Sequence, residues 1–215
     1  MLKLFLSRDE PGVELAALRD QKVIRLECKS CIRLRTLEVG PPPPAEWLFF
    51  LSPSGVELFS RQYSTNGFKL GALWRGTADA VRAHLGREPD FTGRSEDSQE
   101  AIEEFVDRLK PEETVTVAQG DLSRRRFRGV LPASRLHEWT FYTNEPSPPE
   151  RPSTADYLLF TSPSNADAYL SRHGLKARQR VVAIGQTTLE RLRELGYGDA
   201  AVSEEPSEKG LWEAV

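Results

Sequence analysis

Trp47-Leu-Phe-Phe-Leu-Ser-Pro-Ser54 and Tyr157-Leu-Leu-Phe-Thr-Ser-Pro-Ser164 stand 110 positions apart and have the same pattern: a short apolar run, a hydroxyl residue, then proline opening a helical stretch. Leu48, Phe50, Ser52, Pro53 and Ser54 are identical to their counterparts. A second pair follows in register. Leu70-Gly-Ala-Leu-Trp-Arg-Gly-Thr77 leads into a helix expected to end near Gly86, and matches Val181-Val-Ala-Ile-Gly-Gln-Thr-Thr188, whose helix should end near Gly196. A third pair sets Asp90 to Ser98 against Asp199 to Ser207. Solenoid repeats run about 20 to 50 residues, so this longer period fits two similar domains, each with parallel strands covered by helices.

Outward from the repeat, the second copy begins near Tyr157 and has no room before Val215 for the rest of its sheet. An unpaired strand and helix, Leu2 to Leu6 and Gly12 to Arg19, stand at the amino end and are expected to complete it. One domain is then discontinuous, 1–35 plus 146–215, and the other, 40–135, is inserted in it. Strand-like crossings at 32–39 and 136–145 would join them as a two-stranded linker. Punctuation at Gly40 to Pro44 and at Pro146 to Pro152 agrees with that division.

A chain of 215 residues with 39% apolar and 28% charged residues has the composition of a soluble globular protein and needs no disulfide or metal to hold a core. The formal charge of -3 lacks the basic footprint of a nucleic-acid binder. Met1 to Ser7 runs straight into Arg8, Asp9 and Glu10, unlike a signal-peptide core, and the longest apolar run, Trp47 to Leu51, falls far short of the ~18 residues of a membrane span. A cytoplasmic location is the expectation. Cys28 and Cys31 lack the further ligands of a zinc site and lie in the extended-looking run Val23 to Val39, so they read as reduced, partly buried thiols. His84, His137 and His173, among polar neighbours, read as solvated surface residues. No GxGxxG, GxxxxGKS, GxSxG or HExxH pattern is present.

In open α/β sheets ligands sit beyond the carboxyl ends of the strands. The repeat places Ser52, Ser54, Thr77, Ser162, Ser164, Thr187 and Thr188 there, at helix amino termini whose free N–H groups and dipoles suit carboxylate or phosphate. Structural capping explains a single such site equally well. Several in duplicated domains point to an anionic ligand held in an interdomain cleft. Gly120 to Arg126 follows an apolar strand, and one face of its arginine run could pair with a carboxylate, the remainder being a solvated helix face. Glu96 and Asp97 read as favourable first-turn charges. Tyr142, on the second crossing, is a candidate proton donor, since a phenol stays protonated at neutral pH; core packing is the competing reading.

At these residues the sequence resembles the uroporphyrinogen-III synthase family of tetrapyrrole (heme) biosynthesis. Phe160 to Asn165, Val182 to Thr188 and Ser203 to Ser207 are similar to that family's FTSPN, AIGPTT and A-x-x-P-T blocks, in order and spacing. Leu4 to Arg8 resembles its opening strand, and Gly120 with Arg124 its G-x-x-x-R segment. The resemblance implies two flavodoxin-like three-layer α/β domains, one inserted in the other. It also implies a cofactor-independent lyase that closes hydroxymethylbilane, a linear tetrapyrrole with eight carboxylates, into uroporphyrinogen III with loss of water and inversion of ring D. Tyr142 would take the place of the family's proton donor, although Thr143 follows it directly where the family has V-Y-x-T. Arg8, Ser52, Ser54, Thr77, Arg124, Thr161, Ser162, Ser164, Thr187 and Thr188 would hold substrate. Leu73-Trp-Arg-Gly76 replaces the family's glycine-rich lead with bulkier residues. No metal, nucleic acid or membrane partner is expected, and the expected state is a monomer. The alternative is a non-catalytic bilobal module binding another polycarboxylate.

Overall fold

Apolar runs too short for helices become strands buried on both faces. In a computed structural model, which describes residues 1–95 and 97–215, these are β1 (Leu2–Leu6), β4 (Trp47–Phe50), β5 (Lys69–Ala72), β7 (Val115–Gly120), β9 (Tyr157–Phe160) and β10 (Arg180–Ala183). The run from Val23 to Val39 is broken into β2 (Ile24–Cys28) and β3 (Ile32–Thr36), because the chain turns after Lys29, whose N–H bonds Leu6 O. Two-residue strands, β6 (Phe91–Thr92) and β11 (Ala201–Val202), and the long β8 (Leu136–Pro146) complete the set.

Contacts divide the chain into two units, Met1–Arg33 with Glu145–Val215, and Leu34–Asn144. In the first unit the strands lie in the order β11-β10-β9-β1-β2, all parallel. Taken in chain order this is the 2-1-3-4-5 sequence of doubly wound folds, with its switch point between β1 and β9. Phe5, Leu158, Phe160, Val181 and Ala183 meet helices α5 (Pro163–His173) and α6 (Gln186–Glu194) on one face. On the other, Leu4, Leu6, Leu159 and Val182 meet Leu15 of α1 (Val13–Asp20) and Leu211 of α7 (Glu208–Glu213). Alternation along each strand thus feeds two separate cores in three layers.

The second sheet, β3-β8-β7-β4-β5-β6, repeats that order, β4 standing for β9 and β7 for β1, so its switch point lies between β4 and β7. Helices α2 (Pro53–Ser60) and α3 (Arg75–Leu85) cover one face through Val56, Phe59 and Val81. Ile102 and Phe105 of α4 (Ser98–Val106), with Phe127, cover the other. The crossing segments form β3 and β8, whose ends are tied by Leu37 N–H to Phe141 O and Ser147 N–H to Cys31 O, an antiparallel pairing; β8 also lies parallel to β7 and extends the sheet.

Two local expectations need correction, and a third is refined. The arginine run after Gly120 is not a helix face: it is a loop, with Arg125 at φ 50°, ending in a 3-10 turn over Arg126–Gly129. Arg125 and Arg128 converge there on Glu138 of β8, which fixes the turn against the sheet. His173 is not simply solvated, since its Nε2 lies 2.8 Å from Pro149 O and its ring packs on Tyr169. Asp97 does cap α4, accepting from Gln99 and Glu100 N–H, whereas Glu96 lies outside the described residues.

Candidate active site

The carboxyl ends of β4, β5, β9 and β10 each deliver the chain into a helix amino terminus. Ser52 and Ser162 are N-caps in extended conformation, and each hydroxyl accepts from the third helical N–H, Gly55 at 3.1 Å and Asn165 at 3.2 Å. Proline supplies the first helical residue in both, as its locked φ favours. Thr77 and Thr188 are not caps. Trp74 and Gly185 occupy those positions without a side-chain hydrogen bond, and the two threonines are buried within the first turns. The expectation of a hydroxyl cap failed because the cap is set by backbone conformation, extended at Trp74 and Gly185, and not by the nearest hydroxyl.

The consequence is a set of unspent donors. Among the described residues, the N–H groups of Ser54, Arg75 and Gly76 in the second unit, and of Ser164, Gln186 and Thr187 in the first, have no acceptor within the protein. Each sits at the positive end of a helix dipole. Such termini bind carboxylates without lysines.

Tyr142 stands at the switch point of the second unit. It is 8% exposed, and its hydroxyl lies 3.3 Å from Ser52 Oγ, at the mouth of α2. Strand alternation would send it to the opposite face from Phe141. Instead the β7–β8 register slips by one residue, Gln119 opposite Thr140 and Gly120 opposite Tyr142, and the ring turns into the same core as Trp139 and Phe141. A bulge of this kind re-aims a side chain. Gly120 makes the room: a Cβ there would lie 2.5 Å from Tyr142 Cε2, whereas one on Gly55 would come into ordinary contact with Cε1 at 3.6 Å. Burial pushes the phenol pKa up, the Asp121 charge adds to that, and the Ser52 hydroxyl and Gly120 backbone only partly oppose it. The group is therefore a proton-bearing donor at neutral pH.

The corresponding place in the first unit is filled differently. Asn165, which matches Gly55 in the repeat, donates through Nδ2 to Ser162 Oγ at 2.9 Å and accepts from Cys31 N–H at 2.7 Å. Next to it, at the switch point, Thr161 and the buried Ser7 bond one another, with Thr161 N–H to Ser7 Oγ at 2.9 Å. Arg8 is half exposed and pairs with Glu208 at 3.1 Å, a buried carboxylate that also receives Gly12 N–H through both oxygens. Arg124 is exposed and, among the described residues, has no carboxylate partner, unlike Arg125, Arg126 and Arg128. In the first unit a cavity of about 570 Å³ bounded by Tyr157, Arg180, Tyr197 and Ala201 lies at the amino ends of β9 to β11, the opposite end of the sheet from Ser7, Thr161 and Asn165. No group of three or more His, Cys, Asp or Glu among the described residues is placed to hold a metal, and no helix among them is long and apolar enough to cross a membrane.

Residues 31–213 match the family model of uroporphyrinogen-III synthase HemD. The chain belongs to the uroporphyrinogen-III synthase family. Solved uroporphyrinogen-III synthases share its fold. The enzyme from Helicobacter pylori aligns over 99% of this chain and 97% of its own, with a TM-score of 0.69 and 17% identity. A mutant form from Thermus thermophilus aligns over 100% and 98%, with a TM-score of 0.55 and 14% identity. No individual curated protein matches the chain by sequence. Within this synthase fold, Tyr142 and Ser52 are brought together, as are Ser162 and Asn165 in the other unit. Thr161 engages Ser7, Ser54 and Thr187 are exposed, and Ser164 is half-buried. The parts played by Gly55, Gly120, Asp121 and Asn165 escaped the sequence reading. Only one signal for them was in reach, the replacement of Gly55 by Asn165 between otherwise matched copies.

Proposed function

We propose that this chain is a working uroporphyrinogen-III synthase in which Tyr142 assists departure of the hydroxyl of hydroxymethylbilane. The family match over residues 31–213 supports the reaction; the alternative of a non-catalytic binding module has no observation in its favour. What supports the tyrosine's role is its buried, protonated phenol beside Ser52 at a helix amino terminus. The phenol gives a hydrogen bond or proton to the leaving oxygen, and the C–O bond breaks to leave an azafulvene cation. The proton is regained when the closed ring sheds one from pyrrole. Because that leaving group departs readily, the chief demand on the protein is geometric, holding the two ends of the chain in contact.

The substrate's carboxylates are met by the free N–H groups at the helix amino termini, with Ser54, Ser164 and Thr187 beside them and Arg124, exposed and without a carboxylate partner among the described residues, as a cation. Ser52 orients the phenol. Thr77, Thr161, Ser162 and Thr188 shape the first turns, and Arg8 supplies partial positive charge. The enzyme on this reading requires no cofactor and works as a cytoplasmic monomer, with no nucleic-acid or membrane partner.

Isomer analysis tests it. Spontaneous closure of hydroxymethylbilane gives the type I ring, so purified protein should yield type III. Tyr142→Phe should lower kcat about 10- to 100-fold with KM little changed. Type I product alone from the wild-type protein would refute the reading.

A further inference from the structure

Thr143 and Asn144, the two residues that depart from the family's tyrosine segment, share one partner in the fold. The Asp121 carboxylate accepts from Thr143 Oγ1 at 2.6 Å through Oδ2, and from Asn144 N–H at 3.2 Å, Asn144 Nδ2 at 3.4 Å and Leu122 N–H at 3.0 Å through Oδ1. Its own N–H donates to Tyr142 O at 3.0 Å, the first main-chain bond after the register slip. Asp121 therefore grips β8 at Tyr142, Thr143 and Asn144, immediately beyond the bulge that turns the phenol toward Ser52.

We propose that Asp121 is a positioning residue: with Thr143 as its chief ligand, it locks the slipped β7–β8 register and so holds the Tyr142 hydroxyl at Ser52 and the mouth of α2. The geometry explains why threonine can follow the tyrosine directly in this chain. A bulge leaves one residue without a ladder partner and is held only by what surrounds it. On one side the Gly120 backbone meets the ring face; on the other, four hydrogen bonds converge on a single carboxylate. Burial would raise the pKa of Asp121, but the Thr143, Asn144 and Leu122 donors outweigh it and hold it below the ordinary value, so the acceptor is ionised at neutral pH. Release of the carboxylate frees β8 to regain regular alternation, which carries the ring away from Ser52.

This role rests on the synthase reading and on Tyr142 as donor, and a double-mutant cycle separates the three. In the wild-type background Asp121→Ala should lower kcat for type III formation about 10- to 100-fold, as expected for misplacement of a donor by about 1 Å, with KM changed less than about twofold. Thr143→Val, which removes only the 2.6 Å bond, should give a smaller loss of the same kind, about 3- to 10-fold. In the Tyr142→Phe background Asp121→Ala should change kcat by less than about twofold, because a positioning residue has nothing left to position. Wild-type protein that makes no type III ring overturns the synthase reading. Full activity in Tyr142→Phe overturns the donor and, with it, the role of Asp121. An equal loss from Asp121→Ala in both backgrounds, or a loss in KM alone, overturns the role of Asp121 while leaving the donor in place. Should Asp121→Ala prove poorly folded by thermal melting, Thr143→Val carries the same cycle.

Discussion

Replacing Gly120 with alanine isolates the contact on which the placement of the phenol depends. The backbone of Gly120 is not left-handed, so the substitution carries no conformational strain of its own. The added Cβ would sit 2.5 Å from Tyr142 Cε2, 2.8 Å from Cζ and 3.1 Å from Cδ2. Carbon atoms rest about 3.5 to 4.0 Å apart, so the ring must withdraw by about 1 Å. Its retreat is limited by the Phe141 ring, 5.0 Å away edge to face, and by the start of α2 at Gly55. The overpacking should cost about 1 to 3 kcal/mol of stability, and the displaced hydroxyl about 10- to 100-fold in kcat, no more than its removal in Tyr142→Phe. Separation of the oxidised porphyrin isomers gives the rate and the share of type III ring, and a urea titration gives the stability. Gly129→Ala is the control, since nothing among the described residues lies within 4 Å of a Cβ there, and it should stay within about 0.5 kcal/mol and at full rate. A Gly120→Ala protein with wild-type rate and isomer ratio refutes the placement of Tyr142 against that glycine.

Two further outcomes concern stability and reactivity. Burial pushes the Glu113 carboxyl up, but the Lys69 ammonium at 2.6 Å and the Lys110 N–H outweigh it and hold it at about 2, against an ordinary 4.5. A carboxyl depressed on folding stabilises above its unfolded value, so denaturant stability should fall by on the order of 2 kcal/mol between pH 4.5 and 2, a figure reduced because Lys69 is half exposed, and Glu113→Gln should flatten that slope. Burial raises the Cys31 thiol to about 12 and the Cys28 thiol to about 11, with nearby carboxylates adding to both and single cations opposing. At about pH 8 a thiol-specific disulfide reagent should leave Cys31 untouched until urea is added, and rapid labelling of both thiols in the folded protein would contradict that burial.

The fold was legible where side chains act on their own stretch of chain. Trp47–Phe50 and Tyr157–Phe160 are too short and too apolar to be anything but buried strands, and Ser-Pro after each marks a helix start whether or not a partner is near. Gly86 and Gly196, both at positive φ, end α3 and α6 where the periodicity stops. The site was legible only in part. Tyr142 could be chosen as a phenol on a crossing strand, but its direction is decided by a register slip against a strand some 20 residues earlier, and period-2 reasoning sends it to the wrong face. Asp121 and Thr143 are 22 residues apart, and no spacing rule connects them. Trp74 as an N-cap, and the 3-10 turn after Arg125, are backbone choices that the side chains present do not announce.

The two units answer one structural problem in two ways, and the difference supports the proposed placement of the chemistry at Tyr142. Each ends its central strand in Ser-Pro-Ser and bonds the serine to the third helical N–H, leaving the far side of that hydroxyl in need of a neighbour. In the first unit Asn165 supplies one from within the same turn and spends its carbonyl on Cys31 N–H, so the Ser162 hydroxyl and the Asn165 amide are both satisfied locally. In the second, glycine at the matching position leaves the space vacant, and the neighbour is a phenol brought from β8 by a bulge that Asp121 and Gly120 hold in place. A local amide needs nothing from elsewhere in the chain to place it, and it is too weak an acid to pass a proton to a leaving group. A phenol imported from a distant strand needs a glycine, a bulge and a carboxylate to fix it, and such an arrangement is hard to account for by packing alone, since Asn165 shows that the same turn can be completed without it.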